Sequence, residues 1–355
     1  AVSITTSETA LHAIKERWDS KMVYDINGYK PIPTGTTGGW ERLADKEPVI
    51  GGAMGTIFDC YVIREEGLFK MWFSWRPAQA IMYTTSLDGL NWELPTVALL
   101  RDFDSPWQSE EVSRPTIIKK DGLYHMWYTG HGWDGYCPTT SIGYAVSEDG
   151  IHWECPYKDP VLKGEIAWEK RMIWCPHVLY EEEENVFKMW YSGGAQPDSI
   201  ECQAVGYATS RDGIHWVKDL RNPIFEANDN CQWEMYKVSA SYVWKRDGWY
   251  YMTYLGSDSD MRAQNGLARS RDGITNWERH PSNPIVAGTE GKWDCQGICK
   301  LTVIEVEDGY MGWYNGFNNT IEEMGVVKHK GFDLGFSDTN ERGERKYYPK
   351  MNWVD

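Results

Sequence analysis

The stretch Ser147-Glu148-Asp149-Gly150-Ile151-His152-Trp153 decides the fold, because near-copies of it recur along the chain. The copies occupy Ser86–Trp92, Ser210–Trp216 and Ser270–Trp277, and successive serines are separated by 61, 63 and 60 residues. Glycine adopts a positive φ without steric penalty, and aspartate accepts hydrogen bonds from the backbone that follows it. Asp-Gly therefore predicts a tight turn between two strands. Four such turns at a nearly constant spacing indicate a repeat protein.

Each repeat contains more than this turn. A hairpin of two apolar strands precedes it, as in Thr116–Ile118 and Tyr124–Tyr128, and a short apolar run such as Asn222–Phe225 follows it. A fifth hairpin, Leu301–Ile304 with Tyr310–Tyr314, lacks a clear Asp-Gly turn. Each unit thus has about four short strands and almost no helical periodicity, which is typical of a β-propeller blade.

An early segment resembles the last part of a repeat, since Trp40-Glu41-Arg42 matches Trp277-Glu278-Arg279 and a Pro-containing apolar run follows in both places. The fifth repeat lacks this part. We therefore expect the N-terminal segment to supply the outer strand of the last blade, which removes an open sheet edge. The predicted fold is all-β, a single five-bladed β-propeller over residues 40–355. Residues 1–39 are predicted to form a short helix, within residues 7–24, and a loop.

Composition and charge exclude several functions. The net charge of -16 in 355 residues argues against nucleic acid or an anionic membrane as a partner. No run of 18 apolar residues is present, so no membrane span is expected. The eight cysteines show no paired framework and no signal peptide is visible, which favours reduced thiols and a cytoplasmic location. No metal-binding or phosphate-loop spacing occurs, so neither a metal nor a cofactor is expected.

The start of each innermost strand lines the central channel of a propeller, where small-molecule sites form. Aligning these strands on their Met-Trp-Tyr anchors places five residues at one level: Asp59, Arg114, Cys175, Ala240 and Lys300. Regular alternation would place six side chains on the face that carries Asp59. These are Glu110, Arg114, Arg171, His177, Tyr236 and Lys300.

Three features are similar to those of known propeller enzymes: the repeated turns, Asp59 on the first innermost strand, and the variants Arg114-Pro115-Thr116 and Cys175-Pro176-His177 on the next two. Through these features, residues 40–335 resemble such enzymes. They resemble the glycoside hydrolase clans of arabinanases, β-xylosidases and invertase-like enzymes, and also the mannoside phosphorylases of family 130. The resemblance implies that Asp59 acts as base or nucleophile. It does not supply the other family carboxylates, because Cys175 and Ala240 stand near the positions where arabinanase-like enzymes have Asp and Glu.

Cleavage of a glycosidic bond needs two carboxyl groups, one protonated and one ionised. Three carboxyl residues near the predicted channel mouth are candidates for the second group: Glu110, Glu111 and Glu234. Each also has a structural interpretation. Glu110 and Glu111 could form a solvated pair on the rim, and Glu234 follows a Trp in a repeated pattern.

The predicted mouth is rich in cations, which suits a carboxylate or phosphate on the ligand. The predicted substrate-binding residues are Arg76, Trp107, Arg114, His131, Arg171, His177, Tyr236, Lys237 and Lys300. Several of the cations could instead pair with neighbouring acids. Three functions stay open: a glycoside hydrolase, possibly acting on an anionic sugar; a phosphorylase that uses inorganic phosphate; and a carbohydrate-binding propeller without catalysis. The oligomeric state is not predicted.

Overall fold

The computed structural model describes residues 35–43, 47–133, 135, 137–195, 202–318 and 321–336. Two short strands, β1 (Gly35–Thr36) and β2 (Trp40–Arg42), precede the first blade. The first blade contains β3 (Ile57–Glu65), β4 (Leu68–Trp75), β5 (Ala80–Ser86) and β6 (Thr96–Leu99). The second blade contains β7 (Glu111–Lys120), β8 (Leu123–Trp133), β9 (Pro138–Ser147) and β10 (Leu162–Lys163).

The third blade contains β11 (Ile173–Glu181), β12 (Val186–Ala195), β13 (Cys202–Ser210), β14 (Trp216–Lys218) and β15 (Phe225–Glu226). The fourth contains β16 (Lys237–Arg246), β17 (Trp249–Ser257), β18 (Ala263–Ser270), β19 (Glu278–Arg279) and β20 (Val286–Ala287). The fifth contains β21 (Gly297–Val306), β22 (Gly309–Phe317) and β23 (Glu322–Lys330). In the described part of the chain, single 3₁₀ turns occur at Gly52–Met54, Ala167–Glu169 and Gln232–Glu234.

These strands form five antiparallel sheets, which confirms the predicted five-bladed propeller. Strand β2 pairs with β23, so the N-terminal segment closes the fifth blade as expected. Strand β1 adds an unexpected outer strand to the fourth blade through β20. The predicted helix within residues 7–24 lies outside the described residues, and the division at residue 39 stays a prediction. Within the described part of the chain, no helix is long and apolar enough to cross a membrane.

The repeated turns join neighbouring blades. The indole Nε1 of Trp72 in the first blade donates to the carbonyl of Gly150 in the second, at 2.8 Å. Three further bonds of this kind join Trp127 to Gly213, Trp190 to Gly273 and Trp313 to Gly89. The fourth blade has Thr253 in the position of this Trp, and the fifth blade that follows it has no Ser-x-Asp-Gly-x-x-Trp turn. The turn motif and the Trp anchor are therefore two halves of one inter-blade contact.

A second repeat explains the acids that follow a Trp. The hydroxyl of Tyr254 donates to Glu234 at 2.7 Å, and Arg279 Nε lies 2.6 Å from the other carboxylate oxygen. Equivalent contacts join Tyr191 and Lys218 to Glu169, and Tyr314 and Arg42 to Asp294. All three acids are fully buried and paired, so this arrangement is structural in each blade.

Candidate active site

The central funnel has a volume of about 480 Å³ and ends on a floor built from β-bulges. In each blade the pairing of the innermost strand shifts near its start, for example between Phe58 and Tyr61. At four of these bulges a non-glycine residue has a positive φ, between 46° and 56°: Asp59, Arg114, Cys175 and Ala240. This conformation is uncommon outside glycine, and bulges of this kind re-aim side chains. All four residues line the funnel, as predicted from their common level.

For each of these four residues, a side chain of the preceding blade accepts a hydrogen bond from the backbone N–H. The backbone N–H of Arg114 donates to Ser74 Oγ at 2.8 Å, and that of Asp59 donates to Asn315 Oδ1 at 3.2 Å. Thr129 and Ser192 accept the corresponding bonds from Cys175 and Ala240. Side chains of the second strands thus hold the floor in a fixed shape, which is the preorganisation that a binding site requires.

Asp59 is buried and lies at the centre of the polar contacts on the floor. Its Oδ2 is 3.0 Å from Arg114 Nε and 3.8 Å from Cys175 Sγ. The guanidinium of Arg114 lies between the rings of Phe58 and Trp174, with its carbon 5.1 Å and 4.7 Å from their centres. Asp59 therefore forms an ion pair with Arg114, and the two rings fix the position of the guanidinium beside it.

A second carboxyl residue, Glu322, lines the same funnel from the start of β23. Burial and, to a lesser extent, the negative charge of Asp59 raise the pKa of its carboxyl, and with the opposing effects of Asn315, Arg76 and Arg114 included the pKa is about 7. Asn315 joins the two acids: its Oδ1 accepts from the backbone of Asp59 and its Nδ2 donates to Glu322 Oε2. One funnel thus contains an ion-paired carboxylate and a carboxyl group that is partly protonated at neutral pH.

The sequence pattern did not predict Glu322. It follows the loop after the second strand of the fifth blade, whereas the candidates were taken from the starts of innermost strands. The signal that could have identified it is the acidic pair Glu322-Glu323 at the start of the third strand of the fifth blade.

The three predicted partners for Asp59 lie elsewhere. Glu234 is fully buried in its structural pair and does not line the funnel. Glu110 is exposed, and its backbone bonds to His131 and Arg101. Glu111 is buried beside the funnel, where its carboxylate is 3.2 Å from Arg76 Nη1 and 3.7 Å from Arg114 Nη1. Glu111 therefore balances these two cations.

Of the predicted basic residues, Arg76, Arg114 and Lys237 line the funnel. His131 lies behind the floor with Nε2 2.9 Å from Arg114 Nη1. Burial lowers the His131 pKa well below its ordinary value, and Arg114 and Arg76 lower it further, so its imidazole is neutral. It serves as an acceptor that holds Arg114 rather than as a cation.

The remaining predicted substrate contacts are not among the described funnel-lining residues. Trp107 stacks on Tyr128 with ring centres 6.0 Å apart, Arg171 is exposed before β11, and the Tyr236 backbone bonds to Ser257. His177 and Lys300 are fully buried in the channel beneath the floor. The expectation for these two assumed regular alternation, which the bulges interrupt. Cys299 is the fifth-blade residue that lines the funnel near Lys300.

A five-bladed propeller whose funnel contains two unlike carboxyl groups has the architecture of the propeller glycoside hydrolases. The family model of Glycosyl hydrolases family 43 matches residues 47–333, and the chain belongs to this family.

The curated proteins that this sequence matches are distant relatives. An uncharacterized protein of Mycobacterium tuberculosis is 29% identical over 177 residues, which are 49% of this chain and 54% of the relative. A beta-1,2-mannobiose phosphorylase of Thermoanaerobacter is 29% identical over 39% of this chain and 47% of its own length. The chain thus spans about half the length of these two relatives. A 1,2-beta-oligomannan phosphorylase of Thermoanaerobacter is 21% identical over 82% of this chain and 97% of its own.

Solved structures show the same fold. A glycoside hydrolase aligns with a TM-score of 0.65 and 17% identity over 94% of this chain and 99% of its own. A thermostable family-43 glycoside hydrolase aligns with a TM-score of 0.62 and 16% identity over 84% and 96%. At this identity the likeness concerns the fold alone.

Proposed function

We propose that this protein is a glycoside hydrolase that cleaves glycosidic bonds in the central funnel. The observation that carries the proposal is that two carboxyl groups with different environments, Asp59 and Glu322, line one funnel, with Asn315 bonded to the backbone of the first and the carboxyl group of the second. Family membership supports the same chemistry. A glycosidic bond breaks when one carboxyl group protonates the leaving oxygen and another acts on water or on the sugar.

The environments assign the two roles. Glu322, with a pKa raised to about 7, is the acid that protonates the departing oxygen. Asp59, paired with Arg114, is the base or nucleophile. The anomeric configuration of the first product distinguishes these two options for Asp59, because a base gives inversion and a nucleophile gives retention.

The funnel walls suit a carbohydrate. Three aromatic residues line it, Phe58, Trp174 and Phe317. Phe58 and Trp174 already pack on Arg114, so Phe317 is the residue whose ring we expect to pack against the apolar face of a sugar. The lining also includes two thiols, Cys175 and Cys299, and three small residues of the fourth blade, Ser239, Ala240 and Ala263. The sugar and its linkage are not part of the proposal.

Arg114 is committed to the floor by Asp59, His131 and two aromatic rings, so an anionic group on a ligand would meet Arg76 and Lys237 instead. The side chain of Arg76 is 50% exposed although Glu111 lies beside it. These two cations, with the relatives named as phosphorylases, support a second candidate function. In that function inorganic phosphate replaces water and the product is a sugar phosphate.

The cytoplasmic location also stays a proposal. All eight cysteines are free thiols in the structure, which supports a reducing compartment.

The test is a screen of aryl glycosides and oligosaccharides, neutral and uronic, with and without phosphate. The proposal expects a free sugar as product without phosphate, and a loss of about 10²- to 10⁴-fold in turnover for Asp59→Asn. Glu110→Gln, a change at an exposed carboxylate, is the matched control and keeps full activity. Strict phosphate dependence with a sugar phosphate as product would establish the second function instead. Full activity of Asp59→Asn would contradict both.

A further inference from the structure

The channel beneath the funnel contains a lysine that has no charged partner. Lys300 is fully buried, and its Nζ has no hydrogen-bond or ion-pair partner among the described residues. The nitrogen lies 5.9 Å from the centre of the Tyr61 ring, so the side chain extends below the floor. A buried ammonium group without a counter-charge has a large desolvation penalty, and buried charges in proteins are normally paired.

The titratable groups around Lys300 supply no negative charge near neutral pH. Burial raises the pKa of the Cys60 thiol to about 12, although Lys300 opposes the shift, and burial likewise raises the pKa of Tyr61 to about 12. Burial and then the charge of Lys300 lower the pKa of His177 to about 3, against the opposing bond to Val243. These three side chains are therefore neutral. Asp59 is already paired with Arg114.

Further polar atoms in this layer also lack partners. The Nε2 of His177 donates to the carbonyl of Val243 at 2.6 Å, which leaves Nδ1 as an acceptor without a described partner. Ser241, next to Ala240 on the fourth innermost strand, has an unbonded Oγ and is fully buried. Three unpaired polar atoms thus come from three different blades, whereas buried polar groups in native structures are nearly all satisfied.

We propose that the channel binds a single halide-sized anion at Lys300. The anion neutralises the ammonium group, which a water molecule cannot do. The aromatic packing limits its size, because the rings of Tyr61, His177 and Tyr242 have centres only 4.4–6.0 Å apart. These rings pack against one another, so the anion lies at Nζ beside them and not between them, and a monatomic ion fits this position better than phosphate or sulfate. This site is separate from the funnel, so it does not depend on the proposed hydrolase activity.

The first test measures the melting temperature as chloride replaces gluconate at constant ionic strength. Above the dissociation constant, each tenfold increase in chloride should raise the melting temperature by roughly 2 °C. Lys300→Met, which keeps the length of the side chain and removes the charge, should abolish this dependence. Lys292→Met removes an exposed charge and should leave it unchanged. Equal chloride dependence of the wild type and Lys300→Met, or none in the wild type, would overturn the proposal.

The second test needs no variant, in case Lys300→Met folds poorly. Crystals of the wild-type protein grown in bromide should show an anomalous peak in contact with Lys300 Nζ. Sulfate as the only anion should leave this position without a sulfate. A channel that contains no bromide at saturating concentration, or in which the anomalous signal lies only on the outer surface, would contradict the proposal.

Discussion

The Sγ atom of Cys175 lies 3.8 Å from Oδ2 of Asp59, the oxygen that is also 3.0 Å from Nε of Arg114. The three residues come from three blades, and all have the left-handed backbone of a floor bulge. A thiol and a guanidinium therefore hold one carboxylate oxygen. The weak S–H donor fixes the orientation of the carboxylate without adding a second charge to the floor.

The first prediction concerns this thiol. Cys175→Ala removes the donor, so it should lower kcat/KM by roughly two- to tenfold and move the acidic limb of the rate profile to higher pH. Cys175→Ser keeps a donor and should preserve the profile. The measurement is the pH dependence of kcat/KM on a competent substrate. Identical profiles for the Ala and Ser variants, both displaced from the wild type, would indicate a packing role only.

The second prediction concerns the repeated turns. Asp149 Oδ1 accepts from the backbone N–H groups of Ile151 and His152, both at 2.8 Å, so Asp149→Ala should destabilise the protein by about 0.5–2 kcal/mol, as lost caps do. Asp212→Ala should behave alike, because its contacts are the same. Chemical denaturation measures the effect, and kcat should not change. Glu148→Ala, at the exposed neighbouring position, is the control and should be neutral.

These turns also predict a pH effect. Hydrogen bonds lower the pKa of Asp149 below its ordinary value, with the bond from His152 the largest cause. Burial raises the pKa of Asp272, but hydrogen bonds from Thr275, Ile274 and Ser270 outweigh it, and the pKa is about 2. A lowered folded-state pKa stabilises the protein above the unfolded value near 3.8, and this stability is lost as pH falls towards 2. The difference in the free energy of unfolding between the wild type and Asp149→Ala should therefore become smaller as the pH falls from about 4 to about 2. A constant difference would contradict this origin.

The elements that repeat were predictable from the sequence, and those that depend on one blade were not. The Ser-x-Asp-Gly turns and Trp40-Glu41-Arg42 are local patterns, and local patterns predicted the blades and their closure. Asp59 was placed at the funnel because its strand resembles its neighbours. The positions of His177 and Lys300 depend on bulges that change which face each side chain occupies, and no residue type marks those bulges in the sequence. Glu322 faces Asp59 only because the ring closes and brings the first and fifth blades together.

The third prediction concerns this closure. Trp40 is 2% exposed and packs against Tyr310 and His329, with ring centres 6.4 Å and 5.4 Å away. Trp40→Ala should destabilise the protein by about 3–5 kcal/mol, the usual effect of emptying a large buried aromatic site. Removal of residues 38–50 should unfold the protein or make it oligomerise, because the edge of β23 becomes open. A truncated chain that stays monomeric with an unchanged melting temperature would contradict this role.

The fourth prediction concerns the acid. Because Glu322 must be protonated to act, kcat/KM should fall as pH rises through about 7. Glu322→Gln should lower kcat/KM about 10²- to 10⁴-fold on substrates with alkyl leaving groups and remove the alkaline limb. Activated aryl leaving groups need no proton, so Glu322→Gln should retain most of its activity on them. Glu323→Gln is the matched control, since Glu323 instead accepts from the backbone of Gly52.

The same carboxyl predicts a stability difference that needs no substrate. The folded protein binds this proton more tightly than the unfolded chain, whose Glu has a pKa near 4.5. The wild type should therefore lose stability as pH rises from about 4.5 to about 7, and the loss should be constant above that. Gln cannot ionise, so Glu322→Gln should melt at a higher temperature than the wild type at pH 8 and near the same temperature at pH 4. A gap of equal size at both pH values would show that Glu322 does not titrate in this range, and the alkaline limb would then need another acid.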